Sequence, residues 1–107
     1  MTEKTTRGTA NVFADLGYPD AEERQTKTRL AIEINGLIKA RKFRQAEAGT
    51  ILGVPQPKIS ALANYRLDGF SVERMMGFLT ALNQDVEIII RPRRDHRAGR
   101  VVVSALR

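Results

Sequence analysis

Two glycines four residues apart, Gly49 and Gly53, stand in the stretch RQAEAGTILGVPQPKISALANYR at residues 44–66 and limit the possible folds more than any other feature. A glycine in the first of two short helices lets a second helix cross close to its backbone, and a glycine after it can take the left-handed backbone of a tight turn. Leu52 and Val54 flank that turn, and Ile59 and Leu62 recur at helical spacing, so they press the second helix onto the first. The spacing predicts two short crossed helices. The outward face of the second is then Gln56, Pro57, Lys58, Ala61 and Asn64, a run of short and polar side chains without an acid. Such a surface suits the major groove of a duplex.

The charge falls on the same stretch. The net charge of +6 divides into −1 over residues 1–35, +5 over 36–66, −3 over 67–90 and +5 over 91–107. A charge run is usually a solvated face, and for the tail at 91–107 that reading and a functional one both stay open. Over 36–66 the charge coincides with the geometry of a groove reader, which points to a polyanionic partner. With 107 residues the chain is expected to be one small domain with an extension. The absence of Cys excludes disulfides and thiolate zinc sites, and no apolar run approaches a bilayer span. The polar N-terminus is unlike a secretory signal, so a cytoplasmic location is expected.

Residues 1–19 read as a flexible arm, polar over 1–10 and then apolar at Val12, Phe13, Leu16 and Tyr18, which could pack on its own domain or on a partner. Asp20, with Glu23 three residues on, fits a capping box, and a helix is expected over residues 21–42 with Leu30, Ile34, Leu37, Ile38 and Arg41 on one side. Its first half, EERQTKTR, has no apolar stripe and is expected to project into solvent or along a partner. Ser71 caps a further helix to residue 82 with Val72, Met75, Met76, Leu79 and Leu82 on its apolar face. DVEIIIRP then alternates, with Val86, Ile88 and Ile90 on one face, and VVVSA supplies a second possible strand. The division is thus an arm at 1–19, a helical domain at 20–84 and a C-terminal β element with a basic tail at 85–107. The β element pairs within the chain or between two subunits, the latter making Val86, Ile88, Ile89 and Ile90 a dimerisation surface.

The motif QAEAGTILGVPQPKIS resembles the Xre-type helix-turn-helix of bacterial and phage repressors, with a Gln opening the first helix, a Gly in the turn and a Gln beginning the recognition helix. Together with NVFADLGYPDAEE before it and RLDGFSVERMMGFLTALNQDVEIIIRPR after it, it looks like the HigA-type antitoxin branch, a resemblance that extends over residues 11–106. The chain departs from that pattern at Arg44, where the family usually has Thr, and at Tyr65, where Gly is common. The resemblance implies a mainly α, lambda-repressor-like domain acting as antitoxin and autorepressor on double-stranded operator DNA. It further implies a homodimer and a small RelE-like ribonuclease toxin as partner. A free-standing Xre-type repressor without a toxin is the alternative.

Within this frame Gln45, at a helix N-terminus, is expected to meet a phosphate, and Gln56 has the amide geometry to bond adenine N6 and N7. Lys58 is expected at a guanine edge or a phosphate, Ser60 at a phosphate and Ala61 at a thymine methyl. Arg44, Asn64 and Arg66 are expected on the DNA backbone. For each, a solvated polar side chain is the competing reading. Catalysis has little to work with: the single histidine, His96, lies among Arg93, Arg94 and Arg97, which suggests a small RNase only as a distant alternative to an exposed loop histidine, the reading strongly preferred. No metal-ligand cluster, phosphate-binding glycine loop or cofactor motif is present in the sequence, so a non-enzymatic protein without cofactors is expected.

Overall fold

The computed structural model describes residues 20–106. Four helices form among them: α1 (Asp20–Ala40), α2 (Gln45–Leu52), α3 (Gln56–Ala63) and α4 (Val72–Ala81). The arm, with its apolar residues at 12–18, lies outside the described residues, as does the Asp20 side chain expected to cap α1. Leu30, Ala31 and Ile34 of α1 are buried against Met75, Phe78, Leu79 and Leu82, and α2 and α3 close the other side with Ala48, Leu52, Ile59 and Leu62. The stripe expected on α1 and the Met75 face of α4 therefore both form the core, with Leu67 and Phe70 sealing it from the loop between α3 and α4. Ser71 caps α4 as expected, its Oγ accepting from the Arg74 N–H at 3.0 Å.

Every one of these helices ends on a residue with left-handed backbone, and only one of the four is a glycine. Lys42 (φ 59°), Gly53 (φ 72°), Tyr65 (φ 58°) and Asn83 (φ 67°) each reverse the chain. The N–H after each one returns to a carbonyl five residues back: Phe43 to Ile38 (3.1 Å), Val54 to Gly49 (3.0 Å), Arg66 to Ala61 (2.9 Å) and Gln84 to Leu79 (2.9 Å). These bonds satisfy the carbonyls that a helix end leaves open. A left-handed conformation costs an L-residue about 1–2 kcal/mol; glycine removes that cost but loses about 0.5–1 kcal/mol more chain entropy on folding, so the net gain is the difference. Lys42 is exposed. Lys42→Gly is therefore expected to stabilise the domain by about 0.5–1 kcal/mol, read as a thermal midpoint higher by a few degrees. An unchanged or lower midpoint would show that Lys42 bears no strain.

Two expectations are corrected. The first half of α1 does not project freely, because Thr26 is buried, with its hydroxyl donating to the Glu22 carbonyl at 3.2 Å, and Val103 packs on the core. The C-terminal β element is absent as well: residues 84–106 hold no strand, and no backbone hydrogen bond joins 86–90 to 101–104. The physical reason is local. The intervening loop folds around Asp95, which accepts from Arg93 Nε at 2.7 Å and Nη2 at 2.9 Å and from the Arg97 N–H at 3.2 Å. The chain then runs to α1, where the Val101 N–H donates to Glu22 Oε2 at 3.4 Å. The segment that could have completed a hairpin is thus held against α1, and alternation alone gives no ladder without a partner strand.

Candidate nucleic-acid interface

The crossing of α2 and α3 fixes the interface. A Cβ built on Gly49 would lie 2.7 Å from the Val54 carbonyl oxygen, 3.7 Å from Ile59 Cγ1 and 3.8 Å from the Gln56 nitrogen. Gly49 is therefore the contact between the first helix and the turn, and its missing side chain is what lets α3 begin where it does. Gly53 takes the left-handed turn. Arg44 stands before α2 with an extended backbone (φ −76°, ψ 162°) and no side-chain cap, since a guanidinium has no acceptor. Glu47 compensates by accepting from the Arg44 N–H at 2.8 Å. The helix start is held by this half of a capping box, and the Arg44 side chain is exposed.

Pro55, extended at φ −68° and ψ 154°, leads into α3, and Pro57 occupies its first turn, where a missing N–H costs nothing. Ile59 and Leu62 point into the core, which turns Pro57, Ser60, Ala61 and Asn64 outward with Gln56 and Lys58 at the two edges. Gln45, Gln56, Pro57 and Ser60 line one shallow cleft between the starts of α2 and α3. The two glutamines expected to contact nucleic acid are thereby brought together, beside the positive ends of two helices.

Three expected contact residues are placed differently. Lys58 Nζ donates to the Gly69 carbonyl at 3.4 Å and sits 5.2 Å from the centroid of the Phe70 ring, so it belongs to the rim toward α4 rather than to the cleft. Phe70 in turn meets Phe78 edge-on with centroids 5.8 Å apart. Ala61 is half-buried and packs partly on the core, which limits its reach to a base methyl. Asn64 is exposed, but its Nδ2 donates to the Ser60 carbonyl at 2.9 Å and closes the end of its own helix. Arg44, Gln45, Gln56, Pro57 and Arg66 are exposed.

Two positioning residues escape sequence reasoning. Asn35 Nδ2 of α1 donates to the Leu62 carbonyl at 3.0 Å, tying the end of α3 to the longest helix. Arg41 Nη2 donates to the Leu82 carbonyl at 2.6 Å and its Nη1 to Asn83 Oδ1 at 3.3 Å, joining the ends of α1 and α4. Arg41 shares the apolar stripe by spacing, which was the available signal; an amide on a helix flank gives none.

A family described as a helix-turn-helix domain matches residues 12–91. A solved structure provisionally described as an XRE family transcriptional regulator is 56% identical, covers 82% of this chain and 100% of its own, and superposes with a TM-score of 0.78. The chain belongs to the XRE helix-turn-helix family. A comparison with curated proteins gave no match. Membership of this XRE family fits the α2–turn–α3 geometry, in which α3 is the outward helix. Among the described residues, no helix is long and apolar enough to cross a membrane.

Proposed function

We propose that this XRE-family protein is a sequence-specific DNA-binding transcriptional regulator that enters the major groove with α3. The observation that carries the reading is the cleft shared by Gln45 and Gln56 at the paired starts of α2 and α3. Backbone N–H groups and an amide at such a terminus fit a phosphate, while Gln56 offers an adjacent donor and acceptor for a base edge. Gln56→Ala is expected to cost about 1–3 kcal/mol at one base position and to relax preference there alone. Binding to a panel of single-base operator variants measures this; an unchanged preference profile would take Gln56 out of base reading.

The finer reading is an antitoxin that represses its own operon in the cytoplasm beside a small ribonuclease toxin. It is supported by the collinear resemblance on both flanks of the motif, while a free-standing repressor accounts for the helix-turn-helix equally well. Co-expression with the adjacent open reading frame separates the two. An antitoxin co-purifies with that product and relieves its toxicity, whereas a free-standing repressor does neither.

Binding rather than catalysis is also our reading of the tail. Arg93 and Arg97 lie with Asp95, the Arg93 hydrogen bonds first and the Arg97 N–H next holding its carboxyl down at about 2. Two of the arginines around His96 are thus engaged with a carboxylate, which disfavours a phosphate clamp at that histidine.

A further inference from the structure

Tyr65 takes left-handed backbone just past the end of α3 (φ 58°), where a glycine would sit without strain, and keeps its side chain 46% exposed. The fold makes no use of its hydroxyl, which forms no hydrogen bond among the described residues. Beside it Arg66 is exposed, and its guanidinium pairs with neither Asp68 nor any other described group. A helix C-terminus ordinarily turns bare carbonyls toward whatever lies beyond it, which disfavours an anion. Here those carbonyls are covered: Ser60 accepts from Asn64 Nδ2 at 2.9 Å, Ala61 from the Arg66 N–H at 2.9 Å, and Leu62 from Asn35 Nδ2 at 3.0 Å. What the end of α3 leaves open is a phenol and a guanidinium, both able to donate. We propose that Tyr65 is a further DNA contact, its hydroxyl donating to a backbone phosphate alongside the Arg66 guanidinium.

The inference rests on the reading of α3 as the groove helix, and the length of α3 gives the phosphate its place. Its eight residues span about 12 Å at roughly 1.5 Å each, and the major groove is also roughly 12 Å wide. With Gln56 at a base edge, the residues after Ala63 therefore come out at the groove wall, which is the sugar-phosphate backbone. Asn64 is occupied with its own helix, so the donors at that wall are Tyr65 and Arg66. The two differ in what they contribute. A guanidinium neutralises the phosphate and releases counterions, whereas a neutral hydroxyl adds a directed hydrogen bond without releasing any and without choosing a base. The backbone gives the second reason. Glycine alone would serve the turn, and a strained residue whose polar group has no partner within the fold is retained for a contact outside it.

Tyr65→Phe in the full-length chain tests this, because it keeps the ring and the backbone and removes only the oxygen. The thermal midpoint should stay at the wild-type value. Affinity for the chain's own promoter DNA is expected to fall on the order of 10-fold, as for the loss of a hydrogen bond to a charged group. The same factor should appear on every single-base variant of the site, and the slope of log affinity against log salt should not change. Tyr65→Gly, which removes ring and hydroxyl together, should lose at least as much. Neutral methylphosphonate linkages, introduced one at a time along the duplex, should include a position at which wild type and Tyr65→Phe bind alike. Wild-type affinity in Tyr65→Phe overturns the proposal. So does a lowered midpoint, a loss confined to one base pair, or a loss that persists at every substituted linkage. A wild type that does not bind its promoter DNA fails the underlying reading and takes Tyr65 with it, so the unsubstituted protein tells the two failures apart.

Discussion

Gly49→Leu is expected to destabilise the domain by about 1–3 kcal/mol, and to abolish DNA binding even where the protein remains folded. Alanine alone would bring a Cβ to 2.7 Å from the Val54 carbonyl oxygen, a backbone atom that cannot swing aside as a side chain would. The turn itself would have to move. The longer leucine must also find room near Ile59 Cγ1 and the Gln56 nitrogen, so the strain falls on the residues that start α3. With a total stability of about 5–15 kcal/mol for a domain of this kind, such a loss is a large fraction. Denaturant midpoints measure the first effect, and operator binding at a temperature where the variant is still folded measures the second. A Gly49→Leu protein of wild-type stability that binds operator normally would show that the helices do not need this close approach.

The position of Gly49 was legible because absence of a side chain has few structural uses, and its distance from Gly53 matches one helical turn. The apolar stripes of α1 and α4 were legible for a related reason, since burial at Leu30, Ile34, Met75 and Leu82 follows helical periodicity directly. The other chain reversals were not. Lys42, Tyr65 and Asn83 take left-handed backbone where sequence offers no glycine, because the bonds to Ile38, Ala61 and Leu79 and the packing beyond them outweigh the local cost. Tyr65 shows the limit well: its departure from a common glycine was visible, but the conformation glycine would have taken is retained. At the site, Gln45 and Gln56 could be assigned from their places at helix starts. Lys58 could not, since its partner Phe70 is separated from it by a loop whose path depends on the core. In the C-terminal segment the alternation was visible, whereas a strand is a property of two segments, and the sequence of one chain does not state where the second lies.

Affinity for operator DNA is expected to fall by about 10³ between 50 and 200 mM salt if two domains together neutralise about six phosphates. The positive charge of residues 36–66 supplies the groups: Arg44 is exposed next to Gln45 of the cleft, Arg66 is exposed beyond the end of α3, and Lys58 lies on the rim toward α4. Each phosphate neutralised releases condensed counterions, so the slope of log affinity against log salt counts contacts, at close to 0.9 per phosphate. Arg66→Ala should reduce that slope by about two for a pair of domains and weaken all sequences alike. Gln56→Ala should leave the slope untouched, because an amide releases no counterion, while changing preference at one base. The two variants thus separate positioning by the loop after α3 from reading by its start. Equal affinity for its own promoter and for random duplex at moderate salt would exclude the operator reading. A slope unchanged by Arg66→Ala would remove that residue from the phosphate contacts and shift the charge requirement to Arg44 and the basic tail.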